Sequence, residues 1–386
     1  MYYFDNNATT KLTYGVLKRI EEYMSTSFAN ASSSHSLGQI VREETDEVRE
    51  IIADYIKCSP VEIIFTSGAS ESNNFIIKGI ASKLKQVNFT SNELPVIISN
   101  KAEHSSVTKQ LDYLSTIGFN IKYLNLKNDG SIDYNELKEL IDKNTILVTI
   151  QHSNSETGTI HDIEKIGNIC KNHNIFFHSD ITQAFKFFNY DVTKLNVDAL
   201  SFSAHKINGP KGIGAVFLRK KTPIIPLIHG GEQEFNMRAG TLNSIGIIGF
   251  GEAVKELIDN RVDRVNYVKG LRDYFESRIL SEFSSSKTHI NGNITNRMPN
   301  TSNISFIGVS NDSLLYRLNK NEIYVSAGSA CTSGSIQKST SLVAMKLPDD
   351  IVSSAIRFSF SFENTKEEID STLPIIYKEI NSILDI

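Results

Sequence analysis

At 386 residues, with 40% hydrophobic and 22% charged residues, the chain can bury a large core and exceeds the size at which one core stops growing, so two domains are expected. A net charge of -4 offers no broad basic surface for nucleic acid, and no apolar run reaches membrane-spanning length. The three cysteines are too widely spaced for a disulfide framework or a metal-ligand set, and the start Met1-Tyr2-Tyr3-Phe4-Asp5 lacks the basic and apolar regions of a signal peptide; a reducing, cytoplasmic setting without a metal is expected.

Residues 25–36, rich in Ser, Asn and Ala, read as a loop. From about residue 60 to 220, strand-like and helix-like segments alternate: strand 62–65, helix 74–86, strand 96–98, helix 105–116, strand 120–126, helix 131–142, strand 146–150 and helix 162–173. That is the pattern of a sheet with helices on both faces. Two further apolar runs, 174–177 and 197–200, end in polar groups. The first leads into His178-Ser179-Asp180, with Gln183 beyond; the second leads into Ser203, His205 and Lys206. A strand follows at 215–218, and then the Gly-rich polar stretches His229-Gly230-Gly231-Glu232-Gln233 and Arg238-Ala239-Gly240-Thr241, read as a loop completing a site, with a neighbouring subunit as one possible owner of that site. Residues 246–280 form a long helix, charged on one face, suited to joining two domains. Strands at 301–307, 322–326 and 356–360, with helices between and after, suggest an α+β second domain.

In open α/β sheets ligands bind beyond the carboxyl ends of the strands. An acid and a lysine delivered there suit pyridoxal phosphate: the lysine holds the cofactor as a Schiff base and the carboxylate pairs with the protonated ring nitrogen. Taken singly, Lys206 reads as a solvated charge, and Asp180 as the cap of a helix starting at Ile181. The turn Thr66-Ser67-Gly68-Ala69-Ser70-Glu71-Ser72 lies between a strand and a helix, where small residues and free N–H groups admit a phosphate; a plain capped turn is the bland alternative. Lys211-Gly212-Ile213-Gly214 lacks the ending of a phosphate loop and runs into a strand. Glu103-His104-Ser105 follows a strand, so His104 is placed to stack on a planar ring or to move protons. Cys331, among Ser329, Ala330, Thr332, Ser333 and Gly334, sits where a thiol can be a reachable nucleophile. Cys170 reads as core, and Cys58 has no assigned role. Arg357, in an apolar strand, suits either a substrate carboxylate or a structural ion pair.

These residues together resemble the cysteine desulfurases of the NifS/IscS type, within the class V aminotransferase group of fold type I pyridoxal-phosphate enzymes. The likeness runs in order and spacing over nearly the whole chain: Asp5-Asn6-Asn7-Ala8-Thr9-Thr10, Ser67-Gly68-Ala69-Ser70-Glu71-Ser72-Asn73, Glu103-His104, Ser203-Ala204-His205-Lys206, Gly230-Gly231, Arg238-Ala239-Gly240-Thr241 and Gly328-Ser329-Ala330-Cys331-Thr332-Ser333. The resemblance implies an α/β fold: a large domain, 15–260, with a mostly parallel seven-stranded sheet between helices, and a smaller α+β domain, 1–14 with 261–386, carrying the cysteine loop. It implies that Lys206 holds the cofactor and moves the substrate α-proton. Asp180 pairs with the ring nitrogen, Gln183 with the ring hydroxyl, and His104 stacks on the ring and assists proton transfer. Ala69, Ser70, Ser203 and His205 hold the phosphate, with Thr241 from the partner of a homodimer. Arg357 binds the carboxylate of L-cysteine, and Cys331 attacks its sulfur, leaving L-alanine and a persulfide. Residues 328–350 resemble the long flexible cysteine loop of members that hand sulfur to an acceptor protein.

The chain departs from the common pattern at three places. Asn154-Ser155-Glu156 stands for Asn-Asn-Glu, so Ser155 takes the cofactor-contacting position with shorter reach and Asn154 is the candidate to compensate at the substrate. Phe235 and Phe362 stand where arginines are frequent, removing two positive charges near the mouth, and Ala31 replaces a frequent proline. A selenocysteine lyase, a class V aminotransferase and a sulfur-relay subunit of weak intrinsic activity are the competing readings. Iron–sulfur cluster assembly, tRNA thiolation and DNA phosphorothioation are all open destinations for the sulfur.

Overall fold

The computed structural model describes residues 1–90, 93–328 and 338–385. The short strand β1 (Tyr2–Tyr3) precedes helices α1 (Tyr14–Thr26) and α2 (Ser36–Ile56). Then follow β2 (Ile63–Thr66), α3 (Ala69–Asn88), β3 (Val96–Asn100), α4 (Ser105–Thr116), β4 (Asn120–Leu124) and α5 (Tyr134–Leu140). The alternation continues through β5 (Thr145–Thr149), α6 (Ile163–Asn172), β6 (Phe176–Asp180), β7 (Ala199–Ser203) and β8 (Gly214–Leu218). Helix α7 (Ser244–Glu282) leads to β9 (Thr288–Ile290), β10 (Thr301–Phe306), α8 (Asn311–Lys320) and β11 (Ile323–Tyr324). Beyond lie α9 (Thr340–Ala344), α10 (Asp349–Ser353), β12 (Ala355–Ser359) and α11 (Lys366–Leu384).

Seven strands form one sheet in the order β2-β8-β7-β6-β5-β3-β4. The pairs from β7 to β4 are parallel, while β8 runs against both of its neighbours. Two antiparallel steps restore direction, so the carboxyl end of β2 reaches the same edge as those of β3, β5, β6 and β7. Strands β2, β3, β5, β7 and β8 are buried at every position. This is what continuous runs such as Ile97-Ile98 and Leu147-Val148 require when helices cover both faces. On one face, Phe75, Ile76 and Ile80 of α3 pack with Val107, Leu111 and Leu114 of α4. The other face is covered by Ile52 and Ile56 of α2, Ile166 and Ile169 of α6, and Ile247, Phe250 and Val254 of α7.

The long helix changes cores along its length. Its first half belongs to the sheet, whereas Val268, Leu271, Phe275 and Ile279 join Phe4, β10, β12, α8 and α11 in a separate cluster. Ile258 and Val262, between the two halves, are exposed. The three-stranded sheet β12-β10-β9 is the centre of that second body, and β1 pairs in parallel with β11 beside it. The N-terminus is thereby tied to residues more than 300 positions away.

Several expected elements differ in extent. Helix α3 begins at Ala69 rather than 74, which places Ser70 and Asn73 on its first turns. Helices α1 and α2 flank the loop around residue 30 and were not read from sequence. No helix follows Asp180; residues 182–187 form successive turns. Residues 340–344 and 349–353 are helical rather than loop. Residues 329–337, with Cys331, lie outside the described residues.

Candidate active site

The carboxyl edge of the sheet opens into a cavity of about 440 Å³, a size usual for small-molecule sites. Ala69, Ser70, His104, Ser155 and Asp180 line it, as do Gln183, Ser203, His205 and Lys206. They arrive in groups from the start of α3, the start of α4 and the segments after β5, β6 and β7, which is why residues from 69 to 206 meet.

Asp180 ends β6 and is 8% exposed. Its Oδ2 accepts from Asn73 Nδ2 at 2.8 Å and its Oδ1 from the Thr182 backbone N–H at 2.9 Å. Lys206 closes a short turn after β7, and its Nζ donates to the carbonyls of Asn7 and, at 2.7 Å, Ala8. The Asn7 carbonyl also accepts from Gln183 Nε2 at 3.0 Å. Asn7 is pinned in turn: Nδ2 donates to the Ser155 carbonyl at 3.0 Å and to Thr301 Oγ1 at 2.9 Å, and Oδ1 accepts from Asn300 at 2.8 Å. Sequence reading noticed this N-terminal motif but gave it no role, because its contribution is largely a backbone oxygen.

The turn before α3 suits a phosphate. Gly68 caps the helix without any side-chain bond, at φ 147°, and the first helical N–H groups have no intrahelical acceptor. A Cβ on Gly214 of β8 would stand 2.7 Å from both Gly68 Cα and the Phe202 carbonyl, so only glycine lets strand and turn lie this close. Glu71 accepts the Ser67 N–H at 2.9 Å and pairs with Arg238 at 2.9 Å. Burial alone would raise the Glu71 carboxyl, but those bonds hold it below its ordinary value. Arg238 thereby ties the Gly-rich segment to the turn within one chain.

Lys206 and Lys211 line the cavity together with the carboxylates of Asp180 and Glu71, and Lys186 lies close by. Burial, and then the charges of Lys206, Lys211 and Lys186, push the His205 imidazole down to about 4. Burial and the Lys206 charge bring Lys186 down to about 7. Such crowding of donors favours an anionic occupant. Glu103, 4% exposed behind His104, accepts from Asn100 Nδ2 at 2.6 Å and from the Gln151 N–H at 2.9 Å; burial nevertheless raises it well above a normal carboxyl.

Two expected site residues, Asn154 and Arg357, are placed differently. Asn154 does not line the cavity: its Oδ1 accepts from the N–H groups of Glu156 and Thr157, both at 2.9 Å, and its Nδ2 donates to the Ala102 carbonyl and Ser341 Oγ. A side chain so fully bonded shapes a turn and has no group left for substrate. Arg357 is 1% exposed; its Nη2 is 2.6 Å from Asp5 Oδ1 and its Nη1 donates to the Ser155 carbonyl at 3.1 Å. It stands behind the Ser155 wall in an ion pair, with Nε buried and without an acceptor. Thr241 is exposed and lines no part of this chain's cavity.

The other two cysteines are poor nucleophiles. Burial raises the Cys170 thiol, and burial with the Glu62 charge pushes Cys58 up to about 12. At the positions that depart from the family pattern, the guanidinium of Arg264 stacks on the Phe362 ring at 3.8 Å and that of Arg49 lies 5.0 Å from the Phe235 ring. Both aromatics therefore lie against a neighbouring arginine, and Arg49 is itself bonded to Glu234 and the Ile63 carbonyl. No described helix is long and apolar enough to cross a membrane, and no group of three potential metal ligands occurs among the described residues.

Comparison with known proteins agrees with this geometry. Residues 2–372 match the family described as aminotransferase class-V. A cysteine desulfurase IscS of Dictyoglomus turgidum is 40% identical over 381 residues, covering 99% of this chain and 95% of the relative. A solved NifS-like protein superposes with a TM-score of 0.90 at 34% identity, over 100% of this chain and 99% of the other. A structure of SspA in complex with cysteine gives 0.82 at 35% identity, over 95% of this chain and 100% of the other.

Proposed function

The chain belongs to the aminotransferase class-V family, and from that premise we propose that it is a pyridoxal-phosphate-dependent cysteine desulfurase. The observation that carries the proposal is the meeting of Lys206, Asp180 and the Gly68 turn around one cavity. The residues fit the cofactor: an amine for its aldehyde, a buried carboxylate for its ring nitrogen, and a helix start beside His205 and Lys211 for its phosphate. When bound, the cofactor supplies an electron sink that labilises bonds at the substrate α- and β-carbons.

The protein's own groups do the rest. Asn7 and Ala8 hold the Lys206 amine in place, and that amine carries the α-proton. Asn73 and Thr182 orient the Asp180 carboxylate by donating to its two oxygens. Ala69, Ser70, Ser203 and His205 would hold the phosphate, Gln183 would meet the ring hydroxyl, and Ser155 would contact the cofactor from the cavity wall. Arg357, whose Nη1 reaches the cavity wall at the Ser155 carbonyl and whose Nη2 is held by Asp5, is the residue we propose for the substrate carboxylate. Cys331 as thiolate attacks the substrate sulfur; an S–S bond forms as the C–S bond breaks, and the electron pair left on carbon takes a proton to give L-alanine. The persulfide then passes to an acceptor protein.

We take 15–260 as the cofactor domain and 1–14 with 261–386 as the smaller one. We further propose a cytoplasmic homodimer in which Thr241 of each copy completes the other's phosphate site. The test is alanine release from L-cysteine with persulfide detection. The wild type should give both products, and Cys331→Ala should lose persulfide formation. Full-rate persulfide formation by that variant would overturn the assignment, and rates tenfold higher with selenocysteine would favour a lyase.

A further inference from the structure

His104 caps α4 with its own ring. The backbone N–H of Ser106 donates to its Nδ1 at 3.1 Å, and Ser106 Oγ lies 2.8 Å from the same nitrogen. That hydroxyl accepts one hydrogen of the Asn73 amide at 2.8 Å, while the other goes to Asp180 Oδ2 at 2.8 Å. The chemistry of the groups sets the direction of every bond. A carboxylate only accepts, so Asn73 must turn its NH₂ toward Asp180; the reverse orientation would set two oxygens against each other. The amide then donates to Ser106 Oγ, which keeps its own hydrogen for Nδ1. A backbone N–H can only donate, so Nδ1 must offer a lone pair. A hydrogen on Nδ1 would face two donors at once. Asn73 is fully buried, which leaves its amide little freedom to rearrange.

We infer that His104 is held as the neutral tautomer with its proton on Nε2, so that it presents a hydrogen-bond donor and not a base to the cavity, and that Ser106 and Asn73 are the positioning residues that fix it. With Nδ1 bonded to the helix and Nε2 protonated, the ring has no lone pair with which to take a substrate proton. Proton abstraction then belongs to Lys206 alone, and His104 orients and polarises whatever acceptor faces it. The chain Asp180–Asn73–Ser106–His104 also links the carboxylate at one end of the site to the imidazole at the other. The catalytic part of this inference rests on the desulfurase reading; the tautomer does not.

The test uses holoenzyme with ¹⁵N-labelled histidine, the His104 signals being assigned by difference from His104→Gln. At pH 7 to 8 the ring should show a bare Nδ1 and a protonated Nε2. Ser106→Thr, which keeps the hydroxyl, should preserve that pattern, and Ser106→Ala should shift the Nδ1 resonance. A protonated Nδ1, or a Ser106→Ala spectrum identical to wild type, would overturn the inference. Turnover gives a second readout. His104→Gln retains an N–H donor near the Nε2 position and should stay within about tenfold of wild type, while His104→Ala should fall about 100-fold, the usual loss of one oriented donor. Equal losses in the two variants would show that His104 acts as a base. If neither wild type nor variant releases alanine, the desulfurase reading fails while the tautomer spectrum still stands or falls on its own.

Discussion

Replacing His152 by glutamine should change how the protein responds to acid. His152 is 7% exposed, stacks near Phe188 and bonds Tyr190 Oη through Nδ1 at 2.7 Å. Burial, and then the charge of His161, lower its imidazole from an ordinary 6.5 to about 3. The ring is therefore neutral in the fold, whereas the unfolded chain binds a proton below pH 6.5. A depressed histidine contributes stability that is fully present above 6.5 and drains away as pH falls toward 3. Between 6.5 and 5 the drain is 1.5 pH units, or about 2 kcal/mol. Glutamine removes this dependence at the cost of aromatic packing and of the histidine's bond to Tyr190. At pH 7 the variant should be about 2–4 kcal/mol less stable than wild type, the range for losing a large buried group. At pH 5 the gap should shrink by about 2 kcal/mol. Urea titrations followed by far-ultraviolet circular dichroism at pH 7, 6 and 5 measure that gap. A difference unchanged from pH 7 to 5 would refute the reasoning, since it would mean His152 titrates alike in both states.

Other outcomes follow from single contacts. Asp5→Ala leaves the buried Arg357 guanidinium without its carboxylate and should cost about 3–5 kcal/mol in urea unfolding; a cost under 1 kcal/mol would mean the pair is solvated. Gly214→Ala forces β8 away from the Gly68 turn, and should reduce cofactor retained after gel filtration by at least about tenfold while costing about 1–3 kcal/mol, the usual price of overpacking. Native alkylation at pH 7.5 should spare Cys58 and Cys170, whose thiols are pushed up by burial, and label Cys331, as read by peptide mass mapping.

What could be read from sequence depended on how local the signal was. Helix 105–116 was predicted to the residue, because an apolar stripe at Val107, Leu111 and Leu114 begins one turn after a capping residue. The polar strand ends at Asp180 and Ser203 were visible because the runs leading into them, 174–177 and 197–200, are largely apolar. The start of α3 was read too late, since the small polar residues 69–73 look like turn while serving as helix. Helices α1 and α2 carry caps at Thr13 and His35, a signal present in the sequence but outweighed by the Ser- and Asn-rich stretch between them. The Asp5–Arg357 pair spans 352 positions and depends on β12 lying beside the N-terminal strap, which no local pattern encodes. The anchoring of Lys206 is invisible for another reason: its acceptors are main-chain carbonyls, and every residue has one. Asn154 misled because its side chain is polar and adjacent to Ser155, yet the turn it closes and its contacts with Ala102 and Ser341 absorb all of its bonds.

The account depends most on one covalent linkage between the residue-206 amine and an aldehyde cofactor. Borohydride reduction of the yellow holoenzyme, followed by proteolysis and mass mapping, reads it directly. The reduced pyridoxyl group should be found on Lys206, and Asp180→Ala should weaken cofactor retention without moving the label. A label on Lys186 or Lys211 instead, or none on any lysine of a cofactor-loaded sample, would contradict the account.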